Sequence, residues 1–491
     1  MTSDSHSNHA VVYTPMTRGK THPTDISALK DLGIRFIRFQ WVDLTNNVRY
    51  RVIPIAYFEK MLASSRPSIN IRTAGLGIVF LAMADGFAPD SEYLYLPDMA
   101  SLRILPYKPG HASVLGWFEE KSPIVGLGGK LSTQAELCPR GILRKAVEAA
   151  RTVSEVEFLV GFETEFILLT STAPITTVHN LQGYSNSLAL PTGSIAERVV
   201  EEILFLTPTG STIVVNALEA SGIEVQMYHA EAAPGQYEIA TGPLPPLQAA
   251  DALVHTRETI YNIASKHGLR ATLAPRIHDY SCESKIQLNE HVRATDLGKD
   301  APAKGAEFTA LESAFLAGLL ENLSAAIAFT LPLPVSYKRM LDGIFSGGTY
   351  VCWGTDNREV PIRLCNSTAP AARNFEVKAI DGTANPYLVL TSLLGAGHHG
   401  IRSGSALIIK DCVGPSAAKR GEAGRKELGI SERMPLSWEE ARAKLRSSAV
   451  LMEMFGQEVL KKYLSVNETM AKALDEPKEE SAKLSLLVET Y

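Results

Sequence analysis

The sequence predicts an α+β chain built from a small N-terminal unit and a larger one that follows it. Three observations predict this. Residues 34–55 contain IRFIRFQWVDL and VRYRVIPI, which alternate apolar with polar or basic residues, the period of paired, half-exposed strands. CPRGILRKAVEAARTV, residues 138–153, carries proline in its first turn and apolar residues at helical spacing, as the first helix of a second unit would. Beyond it, helix and strand patterns alternate to about residue 410.

Taken in order, residues 1–22 read as a flexible arm and 23–130 as a small unit built on a mixed sheet. Within it YFEKML reads as a short helix, and YLYLPD, LRILPY and VLGWFEE as further strands. The large unit, 131–491, continues with the strand EVEFLVGFETEFILL and the helices SIAERVVEEILF and NALEASG. The strands IEVQMYHAE and GQYEIAT, the long helix PLQAADALVHTRETIYNIASKHG and the strand ATLAPRI follow. KDCVGPSAAKRGEAGRKELG is polar and basic and reads as a connecting loop, after which amphipathic helices close the chain.

A hydrophobic content of 45% with 21% charged residues fits a soluble globular chain with large cores. The net charge of -5 gives no reason to expect nucleic acid or an anionic membrane as a main partner. The 5 cysteines lack CxxC spacing, which suits reduced thiols better than a disulfide framework or a zinc site. MTSDSHSNHAVVYTPMTRGK has no apolar core of the kind a secretory leader needs. FLAGLLENLSAAIAFTLPLPV is interrupted by Glu321 and Asn322 and ends in prolines, so it reads as a buried helix rather than a membrane span. A cytoplasmic protein is expected.

The chemistry concentrates in acids. In GFETEF, Glu163 and Glu165 are two residues apart on a strand pattern and therefore share a face. Two like charges on a half-buried face call for a cation opposite them, unless the face is simply solvated. MYHAEAAPGQYEIA adds Glu231 and Glu238 on either side of a Pro-Gly turn, and NFEVKAIDGTANPYL adds Glu376. Hard dications such as Mg²⁺ or Mn²⁺ take carboxylate oxygens converging from separate strands.

At these residues the chain resembles the glutamine synthetase family, in its bacterial-type and fungal-like branches. GFETEF, EAAPGQYEIA, SYKRM, NREVPIRL and FEVKAIDGTANPYL carry the resemblance, in the family's order. IRFIRFQWVDL and LYLPDMASLRILPYKPG extend it, so that it spans roughly residues 30–470. The resemblance implies a β-grasp-like N-terminal domain and a large catalytic domain with a curved antiparallel sheet flanked by helices. It also implies a ring-like homo-oligomer, ATP as a substrate, and Mg²⁺ or Mn²⁺. Glu165, Glu231 and Glu238 match the ligands of a first metal site, and Glu163 and Glu376 two ligands of a second. Arg339 matches the arginine that holds the amino-acid substrate's carboxylate. Arg358 and Arg363 match arginines on the phosphates, and Lys378 stands where the last family arginine is found. A planar guanidinium suits carboxylate and phosphate, and metal with arginine stabilises charge in phosphoryl transfer. A salt bridge to a nearby acid is the alternative role for each arginine.

The pattern also breaks. In place of a glycine-rich segment ending in a metal-binding histidine the chain has HDYSCESKIQLNEH. Lys285 falls at the histidine, and Gln287 at a second one. An ammonium fills a cation's place as a point charge, so Lys285 would pair with Glu163 and Glu376 instead of a second metal. In a shifted alignment His278 or His291 supplies the imidazole. The family's flap glutamate is replaced in LDGIFSGGTY by Phe345, and its DGSS-like ammonium loop by INIRTAGLGIVF. Loss of both acidic features argues for an organic amine as nucleophile rather than ammonia. The expected activity is ATP-dependent γ-glutamyl amide formation from small-molecule carboxylate and amine substrates. Two alternatives stand beside it: a repurposed single-metal enzyme that does not use ATP, with Lys285 as charge partner or general acid–base, and a non-catalytic scaffold.

Overall fold

The structure, a computed structural model, describes residues 11–13, 26–126, 129–204, 217–277, 308–344 and 346–491, and the backbone alone over 286–294. The helix α1 (Ile26–Asp31) leads into β1 (Phe36–Val42) and β2 (Val48–Pro54), then α2 (Ile55–Leu62) and β3 (Ile69–Arg72). A short hairpin, β4 (Ile78–Val79) and β5 (Ala82–Met83), precedes β6 (Glu92–Pro97), β7 (Arg103–Ile104), β8 (His111–Val114), β9 (Gly116–Val125) and β10 (Leu131–Gln134). Where one mixed sheet was expected, there are two four-stranded ones, ordered β2-β1-β8-β7 and β10-β9-β6-β3. Inward-facing rings join them: Trp41 meets Tyr95 and Phe118 at centroid distances of 5.9 and 6.3 Å. Alternation within a strand marks its buried face but not which other sheet covers it.

The larger part begins with α3 (Pro139–Ser154) and the 17-residue strand β11 (Val156–Thr172). β12 (Ile175–Thr177), α4 (Ile195–Leu204), α5 (Ala217–Ala220), β13 (Val225–Ala230) and β14 (Gln236–Thr241) follow. Next come α6 (Pro246–Lys266), β15 (Arg270–Thr272), β16 (Ile286–Ala294) and α7 (Ala310–Thr330). β17 (Trp353–Thr355), β18 (Ile362–Cys365), β19 (Asn374–Val377) and α8 (Pro386–Ser403) complete the layers. The main sheet runs β13-β14-β11-β16-β19-β18-β17, antiparallel except for β17 with β18. β11 is buried along nearly its whole length, so residues on both of its faces are covered.

α7 starts in a capping box between Thr309 and Glu312. It passes α8 so closely that a Cβ on Gly318 would lie 2.5 Å from the Cα of Gly400. It is long and apolar enough to cross a membrane, but 78% of its most apolar window is buried inside the protein. The two parts are bolted together through buried polar contacts. Asn385 Nδ2 donates to the Asp43 carbonyl at 2.9 Å, and Asn46 Nδ2 to that of Gly382 at 3.0 Å. Arg140 grips Asp251 at 2.9 and 2.7 Å and reaches Asp98 at 2.6 Å.

At the C-terminal end α9 (Gly421–Glu427) lies inside the stretch expected to be a loop, followed by α10 (Trp438–Ser447), α11 (Ala449–Phe455), α12 (Gln457–Asp475) and α13 (Glu480–Thr490). None of the residues of α9 is buried. It has no apolar stripe, and apolar periodicity was the signal being read.

Candidate metal centre

The centre is built on the pairing of β11 with β14. Glu165 stands opposite Glu238, and Glu163 opposite Ala240 on that side and Gln287 of β16 on the other. The turn between β13 and β14 passes through Gly235 at φ +68, where an added Cβ would lie 2.8 Å from the Leu168 carbonyl. Only glycine takes that position without strain. The turn returns the chain so that Glu231 N–H donates to the Gln236 carbonyl at 2.9 Å. As a result carboxylate oxygens of Glu165, Glu231 and Glu238 all lie within 4.8 Å of one another.

The three acids are held from behind. Gln236 Nε2 donates to Glu165 Oε2 at 2.7 Å, while its own Oε1 accepts from Ala233 N–H at 2.9 Å. Ala232 N–H donates to Glu231 Oε2 at 3.0 Å. Burial, and then the charges of Glu163, Glu165, Glu231 and Glu376, push the Glu238 carboxyl up to about 10. A buried carboxyl among four others favours its ionised form only beside a compensating cation. Three converging carboxylates are the donor set of a hard dication, so these residues fit Mg²⁺ or Mn²⁺.

His229 belongs to the centre although the sequence reading passed over it. Its Nε2 lies 4.0 Å from Glu231 Oε1 and 3.9 Å from Glu238 Oε1. The signal was available, since His229 precedes Glu231 by two residues and shares its face.

Glu376 has a different environment. On β19 it stands opposite Asn289 of β16 and Arg363 of β18. It is 1% exposed. Arg363 Nε forms an ion pair with its Oε2 at 2.5 Å while donating to Cys365 Sγ at 3.1 Å, and Lys378 Nζ donates to its Oε1 at 2.6 Å. Burial works against charge on Arg363, but Glu376, Cys365 and Glu163 outweigh it and hold the guanidinium above its ordinary range. Cys365, also passed over, lies 3.8 Å from Glu376 Oε2, and burial, then Glu376, push its thiol up to about 11.

Arg339 ends a 3-10 turn, Pro334–Arg339, and is 1% exposed. Its Nη1 donates to the Ile380 carbonyl at 2.5 Å and its Nη2 to that of Lys378 at 3.2 Å. This holds the guanidinium against the segment that follows Glu376. Arg358 is exposed in the turn between β17 and β18. Lys285, His278 and Phe345 lie outside the described residues. The backbone of β16 sets His291 opposite Leu159, four residues along the strand from Gln287 and its partner Glu163, a separation of roughly 13 Å.

A family model described as glutamine synthetase, catalytic domain, matches residues 136–481. Protein fluG of Emericella nidulans is 30% identical over 460 residues, which cover 94% of this chain and 49% of that protein. The chain thus spans about half the length of that relative. The glutamine synthetase of Methanocaldococcus jannaschii is 29% identical over 455 residues, 90% of this chain and 92% of that one. The gamma-glutamylpolyamine synthetase GlnA3 of Streptomyces coelicolor is 28% identical, with 86% and 87% covered. Among solved structures, a GmaS/ADP complex superposes with a TM-score of 0.74 at 20% identity, over 93% of this chain and 98% of the other.

Proposed function

The chain belongs to the glutamine synthetase family, and from that premise we propose that it is an ATP-dependent ligase joining the γ-carboxylate of glutamate to an organic amine rather than to ammonia. The observation that carries this reading is the convergence of Glu165, Glu231 and Glu238 within 4.8 Å. A hard dication bound there would offset negative charge on a phosphoryl group in transfer.

In this reading a γ-carboxylate oxygen of glutamate attacks the terminal phosphorus of ATP and ADP leaves. The amine nitrogen then attacks the acyl carbon, inorganic phosphate departs, and the nitrogen gives up a proton. Arg339 is the proposed partner of the amino-acid carboxylate and Arg358 of the phosphates, while Arg363 and Lys378, which the sequence also matched to that role, add positive charge from their ion pairs with Glu376. Fixed guanidinium and ammonium groups act on developing charge without reorganising.

Three features support an organic amine. The segment at Phe345 and the loop over INIRTAGLGIVF lack the acids that ammonium handling calls for. The loop's hairpin, β4 with β5, exposes Phe80, Leu81 and Met83 at 46%, 96% and 42%. One relative of nearly full coverage is named for γ-glutamyl transfer to polyamines. The exposed hairpin also supports a ring-like homo-oligomer, since an apolar tip of this kind suits a contact between copies.

The reading is tested by incubating the protein with ATP, Mg²⁺ and glutamate against ammonium, methylamine, a diamine and spermidine. Phosphate release and mass-spectrometric detection of the amide are followed together. Amide formation faster with one of the organic amines than with ammonium is expected. Glutamine as the fastest product, or no amide from any amine, overturns it.

A further inference from the structure

The two groups of acids in the site are compensated in different ways. Glu376 is buried between β16 and β18, and both of its oxygens are already ion-paired with cations of the chain, Arg363 at 2.5 Å and Lys378 at 2.6 Å. The side chains of Lys378 and Glu376 are 2% and 1% exposed, so neither swings out to solvent. Arg363 also feels the charge of Glu163. Among the described residues, Glu376 therefore faces two fixed positive charges, and one of them, Arg363, also acts on Glu163. That sum equals the charge of one dication.

A dication on Glu376 would sit roughly 2.1 Å from a carboxylate oxygen. Both oxygens carry a positive nitrogen at hydrogen-bond distance, so the ion would be in direct repulsion with Arg363 or Lys378. Removing that repulsion means breaking a buried ion pair and leaving a charge unpaired, which is strongly unfavourable. The residues at this second position do not fit a metal. We infer that the chain holds a single dication, at Glu165, Glu231 and Glu238, and that Arg363 and Lys378 supply at Glu376 the charge of a second one. The first half rests on the proposed function. In this inference the substitute charge comes from Arg363 on β18 and Lys378 just after β19, while Lys285, to which the sequence pointed, lies outside the described residues.

The test counts metal. The whole chain, stripped with EDTA, is dialysed against graded Mn²⁺ up to millimolar concentration, and bound metal is measured by mass spectrometry. One Mn²⁺ per chain is expected, lost in Glu231→Gln and retained in Glu376→Gln. Two per chain, the second lost in Glu376→Gln, overturns this inference and leaves the first site standing. No bound Mn²⁺ overturns the metal site of the proposed function and this inference with it. Crystals of the unsubstituted protein soaked in Mn²⁺ give a check that needs no variant. A single anomalous peak among the three acids supports the inference, and a peak at coordination distance from Glu376 defeats it.

Discussion

Glu165 and Glu238 stand directly opposite each other in the antiparallel ladder between β11 and β14. Like charges opposed across a strand pair repel, and these two are 2% and 6% exposed. A cross-strand pair of buried acids is tolerated either with one carboxyl protonated or with a cation held between them. Replacing either by glutamine keeps the shape and removes one charge. Glu165→Gln and Glu238→Gln are each expected to weaken Mn²⁺ binding by at least about 100-fold while leaving the circular dichroism spectrum unchanged. Calorimetric titration with Mn²⁺ reads the loss, and affinity equal to that of the parent would remove these residues from the centre.

Gln236 touches no metal in this arrangement but fixes Glu165 through a 2.7 Å hydrogen bond. Groups that orient ligands typically contribute 10–100-fold in affinity. Gln236→Ala is expected to lower Mn²⁺ affinity by about 10–100-fold. An unchanged affinity in Gln236→Ala would show that β11 alone orients Glu165.

The turn that returns Glu238 to Glu165 depends on Gly235. With φ at +68 and a Cβ position 2.8 Å from the Leu168 carbonyl, Gly235→Ala is expected to cost about 1–3 kcal/mol. Denaturant unfolding measures it. The same variant should bind Mn²⁺ more weakly, since Glu231 sits just before the turn.

A buried acid away from the centre makes stability depend on pH. Burial, opposed by Arg38, pushes Glu258 on α6 up to about 7. Its folded-state value lies above its unfolded one, so the folded chain binds the extra proton. The stabilisation is complete below the ordinary carboxylate range and is lost as pH rises through about 7. Glu258→Gln should flatten this slope and raise stability at pH 8 by up to about 3 kcal/mol. Thermal melts from pH 5 to pH 8 decide the matter, and parallel curves for parent and variant would refute it.

Arg373 donates to Glu312 at 3.0 and 2.7 Å, and Glu312 also closes the capping box of α7. The Arg373 side chain is 2% exposed and that of Glu312 14%. Removing one partner leaves a largely buried charge alone, so Arg373→Met is expected to cost roughly 2–4 kcal/mol. Arg373→Met combined with Glu312→Gln should recover part of that loss. A double variant no more stable than Arg373→Met would place the effect elsewhere.

The sequence by itself determined the local facts. Period-2 spacing put Glu163 and Glu165 on one face of β11, the Pro-Gly pair predicted the β13–β14 turn, helical spacing outlined α3, and a long apolar run marked α7 as a buried helix. Each of these depends on residues close together along the chain, where backbone geometry alone dictates which side chains share a face. Only the tertiary structure decided which strands lie side by side. Register set Glu238 against Glu165 and Arg363 against Glu376, and it separated His291 from Glu163. The positions of Glu376 and Lys378, two apart along the chain, hinted at a pair, but nothing local showed that Arg363 would close the other side. The sequence could show where acids recur, but which of them meet a neighbouring acid and which a cation depends on long-range strand pairing. The acids of GFETEF, alike in sequence, therefore have different surroundings: Glu165 in a three-carboxylate cluster, and Glu163 beside the charge of Arg363.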